Sequence, residues 1–456
     1  MLTKIYDNSP VFVQNMMVSA YGAKLYYERY FRRDREFMEK LMVSQWFSRD
    51  RLISLQRDKL QALLKHAGAS VPYYRQLFAD ISLNADDVKG VEDLGKLPLL
   101  QKETVRTMAS DLVSSTLPTS NLVPLNTSGT TGKSLKVYVD IPSRRACYCF
   151  TSRFHQWAGL PDSRHNVTFG GRAIVPRNQN KNIFWRYNAA MDNYLFSSYH
   201  ISDESLPFIL EKLRRIRPRF IEGYPSAAFL LARYILENKV EIDSPQAIIT
   251  SGETLLENQR EMIEKAFSCA VFDQYGSTEQ ALFVSQCERG SYHVHPEFGI
   301  VEILDEHGRQ QERGKVGRVV CTSFMNRAMP LIRYDLGDSA AWGKENCNCG
   351  RSFPVVEKIY GRQEDFIKTP RGALVGRLDP IFKGLDSIKL AQIIQTKLHE
   401  ITIKIVPGKN YSNADGVVVK QELQKRVGQE VTIELEIVDE IKITKNGKFK
   451  AVISKI

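Results

Sequence analysis

The feature that most constrains this chain is an alternation of helix and strand patterns between residues 205 and 279. SLPFILEKLRRI reads as an amphipathic helix, with Leu206, Ile209, Leu210, Leu213 and Ile216 on one face. Pro218 stops it, and RFIEG follows as a short strand. SAAFLLARYILENK is a second helix, QAIITSG a second strand, LENQREMIEKAF a third helix and CAVFDQYG a third strand. Strands that alternate with helices lie parallel, because each crossover carries the chain back to the same end of the sheet. The expectation is an α/β chain whose large N-terminal domain holds a parallel βαβ sheet.

Each of these strands runs into a loop of unusual chemistry: GYPS at 223–226, SGE at 251–253 and YGSTE at 275–279. Ligands of open parallel sheets bind beyond the carboxyl ends of the strands. One such loop is an ordinary turn, since Gly, Pro and Ser are common there. Three in succession, carrying Glu253, Tyr275, Thr278 and Glu279, point to a site.

A further loop, NTSGTTGKS at 126–134, has the composition of a phosphate cradle. Its glycines let backbone N–H groups approach an anion, and its hydroxyls and Lys133 add donors and charge. It is not a Walker loop, which needs a glycine where Thr127 stands.

The rest of the chain is organised around this core. Residues 1–80 are aromatic, basic and helical in spacing. After 290, GIVEILDEHGRQ and GRVVCTSF read as strands, giving a β-rich subdomain over about 290–360. A small α+β unit follows, with ITIKIV and VTIELEIV as strands and DGVVVKQELQKRV as helix. The expected division is residues 1–363 and a small mobile domain of residues 364–456. The length, 456 residues, suits two or three domains.

A net charge of +11 fits a solvated basic surface with sites for anionic substrates. The chain has no nucleic-acid module, no apolar run near the roughly 20 residues of a membrane span and no signal-peptide core. A cytoplasmic protein is expected. Seven cysteines, an odd number, argue for reduced thiols rather than a disulfide framework. Cys287, His293, Cys347 and Cys349 together allow a closed, structural Cys₃His zinc site, with His295 as a rival fourth ligand. Cys147 and Cys149 need no role beyond packing.

The order TSGTTGKS, SGETL, YGSTE, RYDLGD (333–338), GRQED (361–365) and a C-terminal NGK resembles the motif series of the adenylate-forming enzymes, which include acyl-CoA ligases, luciferases and nonribosomal adenylation domains. AMPLIRYDLGD, CNCGR and HAGASVPYYRQLF make the chain most similar to phenylacetate–CoA ligase-like proteins, on a CapK-like branch found in capsule and O-antigen biosynthesis. The resemblance implies that a carboxylate attacks the α-phosphate of ATP, giving an acyl-adenylate and pyrophosphate. A thiol such as CoA, or an amine, then displaces AMP.

Residue by residue, it implies that Thr127, Ser128, Gly129, Thr130, Thr131, Gly132 and Lys133 hold the departing phosphates. Gly252, Glu253, Tyr275 and Gly276 frame the adenine, and Ser277 and Thr278 donate near the α-phosphate. Glu279 holds Mg²⁺, Asp338 accepts from the ribose hydroxyls, and Arg362 touches the ribose or phosphates. Lys448 bridges the carboxylate and the α-phosphate, and a hinge lies near Glu364 or Asp365. Arg172, His200 and Tyr224 are candidates for the acyl pocket, although Arg172 also reads as a surface arginine and His200 as a structural histidine.

The segment IKTPRGALVGRLDPIFKGL departs from the family pattern, and Glu364 stands where Asp is usual, so an amine acceptor competes with CoA. A non-catalytic nucleotide-binding scaffold in a polysaccharide assembly complex is the alternative from another class.

Overall fold

The computed structural model describes residues 2–31, 35–127, 135–160, 164–176, 181–362, 367–370, 374–375, 378, 381, 387–442 and 449–456. Helices α1 (Leu2–Asn8), α2 (Val11–Arg29), α3 (Arg35–Ser44), α4 (Arg49–Ser70) and α5 (Pro72–Asp80) open the chain, followed by the short α6 (Lys102–Thr107). Strands β1 (Leu122–Asn126) and β2 (Lys136–Asp140) pair as an antiparallel hairpin, and α7 (Ile141–Trp157) leaves it. The βαβ region then gives β3 (Asn166–Gly170), β4 (Trp185–Asn188), β5 (Asn193–Ser197), α8 (Leu206–Ile216), β6 (Phe220–Gly223), α9 (Pro225–Asn238), β7 (Ala247–Ser251), α10 (Glu257–Phe267) and β8 (Val271–Gly276).

The predicted local structure has clear causes. The five apolar residues of α8 are all buried, against β3, β6 and α9 in one cluster. Arg217 turns left-handed at the end of α8, with φ 51°, and Pro218 cannot continue the helix. Pro225 opens α9 at a position where its missing N–H costs nothing.

Strands β5, β3, β6, β7 and β8 are parallel neighbours in that order. The β-rich region does not form a sheet of its own. Strands β9 (Phe283–Gln286), β10 (Tyr292–Val294), β11 (Gly299–Leu304), β12 (Val316–Ser323), β13 (Tyr334–Trp342) and β14 (Val355–Arg362) extend the same sheet antiparallel from β8, to 12 strands. After β15 (Ile367–Lys368) and β16 (Leu374–Val375), the C-terminal unit packs α11 (Asn413–Val427) on β17 (Ile388–Lys397), β18 (Glu400–Pro407), β19 (Thr432–Ile437) and β20 (Val452–Ser454). Its separate core includes Ile393, Ile403, Ile405, Val419, Leu423 and Ile433.

The N-terminal helices are tied into the large domain by a buried ionic network. Arg153 of α7, fully buried, donates to Leu41 O at 2.9 Å, to Glu297 Oε1 at 2.7 Å and to His295 Nδ1 at 2.5 Å. Ser44 Oγ donates to Glu297 at 2.6 Å, and Gln45 Oε1 accepts from Trp157 Nε1 at 2.7 Å and from Arg351 Nε at 3.3 Å. Burial disfavours the Glu297 charge, yet Arg153 and Ser44 hold its pKa below the ordinary carboxylate range. Among the described residues no helix is long and apolar enough to cross a membrane.

Candidate active site

The parallel strands deliver five loops to one edge of the sheet: 170–172 after β3, 197–200 after β5, 223–226 after β6, 251–253 after β7 and 276–279 after β8. The three loops marked by sequence and the two that carry Arg172 and His200 therefore share this edge. The first four are hydrogen-bonded to one another or to the strand ends beside them. Ser198 Oγ donates to Gly170 O at 3.1 Å, and Tyr199 OH to Gly171 O at 2.8 Å. Tyr224 N donates to Phe169 O at 3.3 Å, and Ser226 N to Glu253 Oε2 at 3.1 Å. Gly252 makes the turn after β7 at φ 81°, a conformation open to glycine at little cost.

Glu253 also reaches the C-terminal unit: its Oε1 accepts from Phe449 N at 2.5 Å. Phe449 directly follows Lys448, which itself lies outside the described residues. Two further contacts join the same bodies, Lys389 Nζ to Asp203 at 2.7 Å and Lys409 Nζ to Asn238 at 3.1 Å.

On the other side of β8 the site continues into the antiparallel strands. Tyr275 OH donates to Asp338 Oδ2 at 2.5 Å. Asp338 lies within β13, in register with Arg362 of β14. Burial and then Asp338 push the Tyr275 hydroxyl well above its ordinary pKa, so it stays a donor. Glu279 is buried, and its Oε1 accepts from Tyr334 OH at 3.1 Å and pairs with Lys102 Nζ at 3.4 Å. Thr278 is exposed, and Ser277 Oγ is half-buried and accepts from Ala281 N at 3.1 Å.

The glycine-rich loop begins and ends at a fixed point. Thr127 N donates to Leu135 O at 2.8 Å, and Leu135 N returns a bond to Thr127 Oγ1 at 2.9 Å. Leu135 is buried in the same cluster as Ala281 and Leu282, just past Glu279. Ser128, Gly129, Thr130, Thr131, Gly132 and Lys133 lie outside the described residues, as do Glu364 and Asp365 of the expected hinge.

Of the acyl-pocket candidates, Tyr224 caps α9 beside Glu253; burial and then Glu253 raise its pKa. Arg172 is exposed, with its guanidinium carbon 5.5 Å from the Tyr21 ring centre. His200 Nδ1 is 2.7 Å from Ser197 Oγ, and its ring lies 5.8 Å from that of Phe184.

The cysteine and histidine candidates converge. The ligand atoms of Cys287, His293, Cys347 and Cys349 all lie within 4.8 Å of one another. The Cys287–Cys347 sulfur distance is 3.7 Å, close to the roughly 3.8 Å that a tetrahedral ion with Zn–S bonds of about 2.3 Å imposes. His293 Nε2 is 3.3 Å from Cys349 Sγ, and Nδ1 faces Phe353 O at 3.2 Å, which fixes the ring with Nε2 toward the thiols. Burial lowers the His293 pKa to about 4, so the ring is neutral, as a ligand must be. The donor set therefore fits a zinc ion. His295 stands apart, its ring nitrogens engaged by Arg153 and Ser285.

Sequence reasoning missed Lys102, Tyr334, Ser226 and Phe449. Lys102 arrives through a bridge between Leu100 and Tyr334, which no local pattern announces. The identity of Phe449 carries no signal, since its backbone makes the contact.

Comparison with known proteins agrees with this architecture. Residues 367–455 match the CapK C-terminal domain family. The chain is 28% identical to Protein CapK of Staphylococcus aureus over all of both chains. It is 24% identical to phenylacetate-coenzyme A ligase of Thermus thermophilus, over 70% of this chain and 72% of that one. The crystal structure of a 2-hydroxyisobutyryl-CoA ligase in the postadenylation state superposes with a TM-score of 0.71 at 19% identity, covering 90% of this chain and 91% of that one. The chain is thus a relative of CapK and of the phenylacetate–CoA ligases, with the fold of the adenylate-forming enzymes.

Proposed function

We propose that the protein is an AMP-forming ligase: it activates a carboxylate with ATP to an acyl-adenylate, releases pyrophosphate and passes the acyl group to a thiol or an amine. The observation that carries this reading is the convergence at one sheet edge. Tyr275 is bonded to Asp338 with Glu279 nearby, and at the end of the neighbouring strand β7 Glu253 is bonded to the backbone beside Lys448.

The chemistry follows from the groups. Charge builds on phosphate oxygens in the first step, so donors and cations must meet there before it begins. The loop 127–133, anchored at its neck, supplies donors to the departing phosphates, and Ser277 and Thr278 face the α-phosphate. Asp338, with Oδ2 held by Tyr275, offers Oδ1 to the ribose hydroxyls. Gly252, Glu253, Tyr275 and Gly276 border the adenine, and Arg362 adds a charge near the ribose. Glu279 would hold Mg²⁺, which neutralises phosphate charge when bound. Lys448 brings a mobile point charge to the carboxylate and the α-phosphate. The four-ligand zinc site is structural, because no position stays open for substrate.

The CapK-like resemblance supports a place in surface-polysaccharide biosynthesis. The test is ATP–pyrophosphate exchange over a carboxylate panel, followed by transfer assays with CoA and with amines. Exchange with at least one acid is expected. Tight nucleotide binding without exchange for any acid would instead support the scaffold reading.

A further inference from the structure

Beyond the loop at 170–172 stands a group of arginines and tyrosines that the adenylation chemistry does not use. It is continuous with the site along a chain of contacts from Phe449 through Glu253 to Ser226 and Tyr224, and on to Gly171 and Arg172. Opposite Arg172 stands α2, which offers Tyr21 and Arg29. Next to it is α7, with Arg144 and Tyr148. Arg29 lies over the Tyr148 ring at 4.7 Å, as Arg172 lies over Tyr21. From the sheet, Glu222 of β6 projects on the face of Phe220, whose ring packs 5.3 Å from His155 of α7.

The charges in this group do not balance. Arg144 is matched, its Nη1 donating to the buried Glu28 at 2.6 Å. Arg29 and Arg172 have no carboxylate partner within ion-pair distance among the described residues, and Arg29 Nε is buried without an acceptor. A buried guanidinium nitrogen with no partner is costly, so the arrangement asks for an anion. Glu222, the one further acid in range, is held toward its neutral form by burial, with Arg29 pulling the other way. Burial and then the like charge of Arg29 lower the Arg172 pKa, although solvent still reaches its side chain.

We propose that these side chains line a cleft that takes the far end of the acid, and that the acid carries a second anionic group, a carboxylate or a phosphate, gripped by Arg29 and Arg172. The proposal rests on the AMP-forming reading for the reacting carboxylate and adds the class of acid. Two guanidinium forks suit planar or tetrahedral oxyanions, and the tyrosine faces hold the forks in place.

The experiment pairs each dicarboxylic or phosphorylated acid with its neutral isostere, such as a half-amide, and measures pyrophosphate exchange and ligand-induced thermal shift. The doubly anionic member of the best pair is expected to have a kcat/KM at least 30-fold higher. Arg172→Gln and Arg29→Gln should each cut that ratio at least tenfold, and Arg29→Lys should restore most of it. A preference for neutral acids, or a ratio unmoved in both Gln variants, overturns the proposal. Thermal stabilisation by the anionic acids that both Gln variants abolish, with no exchange for any acid, would keep the cleft and sink the ligase reading. Exchange confined to neutral acids would do the reverse.

Discussion

Removing the Glu253 carboxylate should slow adenylate formation without slowing the step after it. Glu253 is the residue through which the sheet edge holds the backbone next to Lys448, by a charge-assisted bond of 2.5 Å from Phe449 N. A hydrogen bond to a charged acceptor is worth about 1.5–3 kcal/mol. Its loss lowers the population of the docked arrangement, and with it the first half-reaction, by about 10- to 150-fold. Glu253→Gln keeps an acceptor but not the charge, and a loss of about 1 kcal/mol gives roughly fivefold. Lys389→Ala removes a more exposed contact to Asp203, worth about 1 kcal/mol or less, so a smaller effect in the same direction is expected. The assay is single-turnover formation of acyl-adenylate from labelled ATP, set against acyl transfer from pre-made acyl-adenylate. The hinge near Glu364 or Asp365 that the resemblance implies would release this contact before the second step, so the docked contact is expected to serve the first alone. Equal slowing of both in Glu253→Ala would mean that the carboxylate serves only to shape the start of α9 through Ser226, and the latch argument would fail.

Lys448→Ala should slow adenylate formation at least 100-fold while ATP affinity, measured by titration, changes little; a parental rate would remove its assigned role. Lys133→Ala should raise the KM for ATP and slow only the first half-reaction, since an acyl-adenylate lacks the departing phosphates; damage to both steps would refute it. Elemental analysis should find one zinc per chain, lost in Cys349→Ser together with several degrees of Tm; zinc retained in that variant would exclude the four-ligand site. Asp273 is buried, and desolvation raises its pKa to about 6 despite bonds from Thr250 and Tyr292. A raised carboxyl pKa gives stability that is present near pH 4 and lost as pH climbs through 6, about 3 kcal/mol in all. Asp273→Asn should therefore gain on the parent as pH goes from 4 to 7, by Tm at each pH; a difference that does not change with pH would refute it.

What the sequence made legible was local. The periodicity of 206–216 and the strand–loop–helix rhythm to 276 are written in adjacent residues, because apolar spacing decides both the element and its buried face. The extension of one sheet to 12 strands depends on β10 meeting β14 across some 60 residues, and no local pattern encodes that pairing. The candidate metal ligands could be chosen by chemistry alone, but the choice of His293 over His295 depended on Arg153, a residue far upstream that occupies the rival ring. Arg29 was invisible as a site residue because its helix finds α7 only in three dimensions.

The buried ionic network has a consequence for how the chain is made. Helix α3 leaves the ribosome early, yet Ser44 at its end needs Glu297, 253 residues later, and the following Gln45 needs Arg351, 306 residues later. Until those residues emerge, α7 covers Leu41 from one side, but Phe298 and Met325 of the same cluster are missing and the polar groups of Ser44 and Gln45 lack these partners. Arg153, when it appears, gains the Leu41 carbonyl but has no counterion. The N-terminal helices are therefore among the first segments synthesised and the last to be locked. A nascent chain arrested before residue 297 should hold them unlatched, open to chaperones and to proteases. Emergence of Glu297 and Arg351, ahead of the C-terminal unit, is the event that closes the large domain.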